Sequence, residues 1–257
     1  MEDKNITAER ENGAETAQKS RFLTWLENFF YHYKWHTIGA VLAIIAITVC
    51  TLQMCSKKDV DVHIIYAGSE EITKTSKNGD VSEYQTLLKS ICEAASDYDG
   101  DGELVVDLET LFMLSTEQIK ELGRELEESG LDDEYELTVG MVTENNRVFR
   151  DYMTYSNYYV CLLSDDLYEV YKTSGNVQNF TPLAPYVDEG TELTYYDECA
   201  AYLNSSAFHL LPGINKLPED TVVCIRAKSA VASHFNSAET GEIYKRSEEL
   251  LRSILNY

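Results

Sequence analysis

The chain has 257 residues, with 21 Lys/Arg against 44 Asp/Glu and a formal net charge of −23. Such a balance repels a phosphate backbone, so no nucleic-acid partner is expected, while cations and basic peptides are compatible with it. A hydrophobic share of 44% and an aromatic share of 11% exclude a disordered acidic polymer and point to a folded core.

The charge is unevenly placed. The first 58 residues hold 7 basic and 6 acidic side chains, which leaves 14 and 38 for the rest. Three regions are expected: residues 1–36, a polar tail followed by an amphipathic interfacial segment; residues 37–55, a transmembrane helix; and residues 59–257, an acidic extracytoplasmic α/β domain. Residues 38–54 carry no charge over 17 positions, close to the length that crosses a bilayer core of about 30 Å. Trp25, Phe29, Phe30, Tyr31, Tyr33 and Trp35 approach from one side, and Lys57 and Lys58 close the other, as at a membrane interface. His32 and His36 are four apart, but interfacial contact explains them better than a metal pair. With some 37 residues ahead of the apolar run and no small-residue cleavage pattern after it, an uncleaved signal anchor is expected rather than a cleaved leader. The flanking charges are tied at three on each side. The expected orientation, N-terminus cytoplasmic and C-terminal domain outside, therefore rests on the usual layout of signal anchors and on the acidic loop described below.

After the linker, strand and helix patterns alternate. VDVHIIYAG reads as a strand and SEYQTLLKSICEAA as an amphipathic helix. LVVDLETLFML reads as a strand, and STEQIKELGRELEES as a surface helix opened by a capping box at Ser115 or Thr116. YELTVGMVT is expected as a strand, RVFRDYMTYSN as a helix and YYVCLLS as a buried strand. DDLYEVYKTSG is expected as a helix, capped by Ser164 or Asp165 and stopped at Gly175. Residues 180–205 look irregular; TVVCIRAKS reads as a strand and EIYKRSEELLRSILNY as a closing helix. This alternation predicts an α/β fold, a single transmembrane helix followed by a compact α/β domain. Six cysteines show no CxxC, and Cys92, Cys161, Cys199 and Cys224 sit among apolar neighbours, as buried free thiols do.

The sharpest local motif is Asp97-Tyr98-Asp99-Gly100-Asp101-Gly102-Glu103. Asp at positions 1, 3 and 5 with Gly at 6 opens a calcium loop, and the carbonyl of Glu103 would fall at position 7. Leu108 stands where the bidentate Glu belongs, so this is not an EF-hand. Asp97, Asp99, Asp101 and Glu103 are the candidate metal ligands, with calcium in a structural role. The competing account is an acidic turn that uses Asp and Gly for their conformations. The 18 tyrosines, including Tyr158–Tyr159 and Tyr195–Tyr196, could line a pocket or fill a core. No catalytic set stands out: Ser69 is not in a nucleophile elbow, and His63, His209 and His234 are isolated. Asp132–Asp133 and Asp165–Asp166 read as solvated faces, and NIT, NFT and NSS match glycosylation sequons that matter only in a eukaryotic secretory setting.

From Val148 to Pro185, a helix, the strand YYVCLLS and then DDLYEVYKTSGNVQNFTPLAPYV resemble the later part of type-2 extracellular solute-binding proteins, and also membrane-tethered bacterial proteins of unassigned role. The resemblance implies a periplasmic-binding-like domain over residues 59–257, reduced in size from the two full lobes usual there. It carries no binding residue over. The expected function is a membrane-anchored, non-enzymatic, solute-binding-like or interaction domain, with a small solute or a neighbouring membrane protein as partner. The alternatives are a structural subunit of a membrane transport or secretion complex, and an unrecognised cell-surface hydrolase.

Overall fold

A computed structural model describes residues 21–55, 59–75, 81–98, 100–129, 132–174, 177–228 and 237–257. The chain divides into two units, Met1–Lys58 and Asp59–Tyr257. The described residues of the first form one helix, α1 (Arg21–Cys55), so the aromatic approach and the apolar run are continuous. Tyr33–Thr51, with a mean hydropathy of 1.5, is long and apolar enough to cross a membrane, and none of it is buried. That stretch starts four residues before the expected span, because Tyr33, Trp35 and His36 lie on the same uninterrupted helix. Within this stretch, Thr48 and Thr51 hydroxyls donate to the carbonyls of Ile44 and Ile47, which would keep them satisfied without water. The polar tail expected over residues 1–20 lies outside the described residues.

The second unit is built on a six-stranded mixed sheet. Its strands are β1 (Val62–Gly68), β2 (Val106–Phe112), β3 (Val160–Ser164), β6 (Tyr195–Asp197), β7 (Ala200–Tyr202) and β8 (Thr221–Ile225), in the order β2-β1-β3-β8-β7-β6. A separate two-residue ladder joins β4 (Thr173–Ser174) to β5 (Val177–Gln178). β1 runs parallel to β2 and β3, while each neighbouring pair along β3-β8-β7-β6 is antiparallel. Parallel strands need long crossovers. Here α2 (Glu83–Ala94) joins β1 to β2, and α3 (Thr116–Ser129) with α4 (Asp132–Tyr155) joins β2 to β3. After β3 come α5 (Asp165–Tyr171) and, at the end, α6 (Ser237–Leu255).

The period of two in the strands decides the two core faces. Val62, Ile64, Tyr66, Val160, Leu162, Val223 and Ile225 pack with Leu87 and Ile91 of α2 and Leu250, Leu251 and Ile254 of α6. Ile65, Ala67, Cys161, Leu163, Val222 and Cys224 face Phe149 of α4 and Tyr168 of α5. β3 and β8 are apolar on both faces because both are covered, and each fully buried Leu or Ile stabilises by about 1.5–3 kcal/mol. Cys161, Cys199 and Cys224 are buried free thiols, as the sequence leads one to expect, and Cys92 is half-buried.

Two helix starts are fixed by side-chain caps, whereas Ser164 at the start of α5 makes no cap bond and that helix ends at Tyr171, short of the expected Gly175. Ser82 Oγ accepts from Gln85 N at the start of α2. Ser115 and Gln118 form a reciprocal box at α3, Gln118 N donating to Ser115 Oγ and Ser115 N to Gln118 Oε1. One expectation is corrected: YELTVGMVT is not a strand but the first part of α4. Its apolar residues fit both periods. Tyr135, Leu137, Val139 and Met141 alternate, yet the helix places Val142 and Phe149 inside and leaves Leu137 exposed at 75%. The helix gains burial against β2 and α3; ring carbons of Tyr135 come within 3.0 Å of where a Cβ on Gly123 would sit.

Candidate functional site

The order β2-β1-β3 means that the chain leaves β1 toward one side and returns on the other. In open α/β sheets, ligands bind outside the carboxyl ends of strands at such a reversal. Here the carboxyl ends are Gly68 of β1 and Ser164 of β3. β8 is antiparallel to β3, and the register Ser164↔Thr221 places Asp220 beside Asp165. Asp165 N donates to the Asp220 carbonyl at 3.0 Å. The reversal is thus bordered by Glu70, Asp165, Asp166 and Asp220.

Tyr66 forms the floor. It is fully buried, and its Oη accepts from Glu70 N at 3.1 Å. A Cβ on Gly68 would lie 2.8 Å from that Oη, so glycine is what lets the phenol fold back over the strand end. Burial, and after it the charges of Glu70 and Asp220, hold the Tyr66 phenol well above its usual range, so it stays a neutral hydroxyl. Asp220 Oδ1 is buried with no hydrogen-bond partner among the described residues. Burial first, then Asp165 and Asp166, raise the Asp220 carboxyl above its ordinary value. Tyr202 Oη reaches Asp165 Oδ2 at 3.5 Å. Among the described residues, no lysine or arginine forms an ion pair with any of these four acids.

The opposite end of the strands carries a different network. His63 and Asp107 are register partners on β1 and β2, with Nδ1 3.0 Å from Asp107 Oδ2. Tyr158 Oη donates to the same oxygen at 2.6 Å, and its ring meets His63 edge-on at 5.2 Å. The hydrogen bond from His63, then that from Tyr158, outweighs burial and holds the Asp107 carboxyl below its ordinary value. No hydrogen bond joins His63 to a serine, threonine or cysteine among the described residues. The pair was invisible in the sequence because its members are 44 positions apart and only strand register brings them together.

The acidic loop folds as a turn. Asp97 Oδ1 and Oδ2 accept from Gly100 N and Gly102 N, at 2.7 and 2.9 Å, and Asp101 Oδ1 accepts from Glu103 N at 2.8 Å. Gly100 and Gly102 both take positive φ, 76° and 89°. Asp99 lies outside the described residues, and among those described no three His, Cys, Asp or Glu side chains form a metal-holding group. His209 lies within a short 3-10 turn (Ala207–Leu210) capped by Ser206, and His234 is outside the described residues.

No protein-family model, no curated protein and no solved structure matches this chain.

Proposed function

We propose that the chain is a single-pass, membrane-anchored binding protein whose acidic α/β domain lies outside the cytoplasm and takes a small cationic solute at the β1/β3 reversal. The observation that carries this reading is Asp220 Oδ1, a buried carboxylate oxygen without a partner at the place where the strand order predicts a ligand. An ammonium or guanidinium group would supply the missing donor and offset the mutual repulsion of Asp165, Asp166 and Asp220. The neutral Tyr66 floor and the glycine strand end favour close approach of a small group. The solute-binding resemblance and the N-terminal apolar helix support the same reading, with the helix as an uncleaved anchor. A calcium ion held structurally by Asp97, Asp99, Asp101 and Glu103 belongs to this proposal as a second element. Calorimetry of the full chain compared with Asp99→Ala tests it, and equal heats would remove it.

The test of the main reading is thermal melting of the full chain in zwitterionic detergent against a panel of amines, amino acids and polyamines. A cationic compound that raises Tm for the native chain and no longer does so for Asp220→Asn and Asp166→Asn supports it. A panel in which only neutral or anionic solutes bind, or in which none does, overturns it.

A further inference from the structure

At the amino end of the parallel strands, away from the acidic reversal, lies a cavity of about 470 Å³ lined by Tyr98, Lys228, Gly241, Glu242, Lys245, Arg246 and Glu249. Three of the 14 basic residues beyond position 58 meet here, in a region where acids outnumber bases 38 to 14. Chance placement on so acidic a surface would surround each cation with carboxylates. Instead the cations are only partly used. Arg246 Nη2 donates to Glu242 Oε1 at 3.3 Å, but its Nε is buried without a partner, and its side chain is only 16% exposed. Lys228 Nζ stands 4.5 Å above the Tyr244 ring rather than against an acid. Lys245 is exposed on the same helix, one residue from Arg246, and has no ion-pair partner among the described residues. Glu249 likewise forms no ion pair among the described residues, so the cavity wall carries three cations and two carboxylates with only the Arg246–Glu242 pair made.

We propose that this cavity binds a phosphate oxyanion, with Lys228, Lys245 and Arg246 as donors. The guanidinium edge that carries the free Nε–H is a planar donor suited to a phosphate, and the two lysines add mobile charge. Glu242 keeps Arg246 oriented through one nitrogen and leaves Nε to the ligand. Tyr98 adds a phenol on the cavity wall, its backbone N held 2.9 Å from Asp61 Oδ1 at the start of the sheet. Two sources have this chemistry: a free phosphate and an anionic lipid headgroup. The lipid is relevant because only residues 56–58 separate Asp59 from the apolar helix in the sequence.

The experiment uses the full chain. In zwitterionic micelles, inorganic phosphate is titrated calorimetrically into the native chain and into Lys245→Gln and Lys228→Gln, two exposed positions where folding is not at stake. In nanodiscs of phosphatidylcholine alone, or mixed with phosphatidylglycerol, hydrogen exchange is followed over residues 241–249. Heats that weaken on the order of tenfold in each variant, the loss of one charge-assisted contact, identify free phosphate. Protection seen only in the phosphatidylglycerol discs, and lost in Lys245→Gln, identifies the headgroup. Absence of both signals, or signals unchanged by both substitutions, overturns the proposal.

Discussion

Asp107 accepts from Tyr158 and His63 on a single oxygen, and an ionised carboxylate can only accept, so His63 must carry its proton on Nδ1. Replacing Asp107 by Ala leaves the Tyr158 hydroxyl and His63 Nδ1 half-buried without their partner. The expected cost is about 1–2 kcal/mol, kept small by solvent at the 41%-exposed Asp107 side chain and measurable by urea unfolding. The sign with pH follows from the depressed carboxyl. Its contribution is fully present above the ordinary value of 3.8 and is lost as pH falls through the lower folded value, so the native chain should lose more stability in acid than Asp107→Ala does. Gly213 is the harsher backbone position. It sits at φ 83°, and an added Cβ would lie 2.8 Å from Leu87 N, a backbone atom that cannot step aside. Gly213→Ala should therefore destabilise by more than about 1 kcal/mol, detectable as a lowered Tm, and an unchanged Tm would mean the loop can leave α2. Neither position could be recognised in the sequence. A lone histidine and a Pro-Gly turn look ordinary until the sheet register and the loop packing bring their distant neighbours into contact.

At the scale of elements, the sequence was most informative where one period dominated and a cap was present, as in α2 and α3. It misled over YELTVGMVT, where alternation and helical spacing coincide over a short run and only packing separates them. The helix RVFRDYMTYSN was expected, but what closes its end was hidden. Arg226, 2% exposed, follows β8 and donates to the carbonyls of Tyr152 and Ser156 at the C-terminus of α4, with its guanidinium 4.9 Å from the Tyr159 ring centroid. A cation there satisfies carbonyls that the helix leaves open and meets the negative end of its dipole. Burial lowers the Arg226 pKa, yet the helix end replaces the carboxylate that a buried arginine ordinarily needs. Arg226→Met keeps the volume and removes both donors. It should cost on the order of 2–3 kcal/mol and speed hydrogen exchange in the last turn of α4 before the rest of the sheet opens. Uniform exchange across α4 would show that β3 packing, not the arginine, holds that end.

For the whole molecule, the α/β class and the apolar N-terminal helix were legible because both depend on local pattern. Strand order was not, and it is strand order that brings Glu70 near Asp165, Asp166 and Asp220. The balance of 38 acids to 14 bases beyond residue 58 sets a background of self-repulsion that salt screens, with the Debye length falling from about 30 Å at 0.01 M to about 8 Å at 0.15 M. Tm should therefore rise with ionic strength in the native chain. Asp220 adds a local penalty of a different kind, since its Oδ1 is buried without a hydrogen-bond partner among the described residues. Its folded carboxyl is raised above 3.8, so the ionised form opposes folding at neutral pH, and the penalty is relieved as pH falls through the raised folded value. Asp220→Asn should then raise Tm at neutral pH by roughly 2–4 °C, equivalent to about 1 kcal/mol in a protein of this size. Because salt screens a buried group much less than a surface charge, that gain should persist at high ionic strength and disappear near pH 3.8, where the native carboxyl is already protonated. A gain that instead vanished with added salt would make Asp220 one more surface charge, and would take away the buried acceptor on which a cationic ligand at the β1/β3 reversal depends.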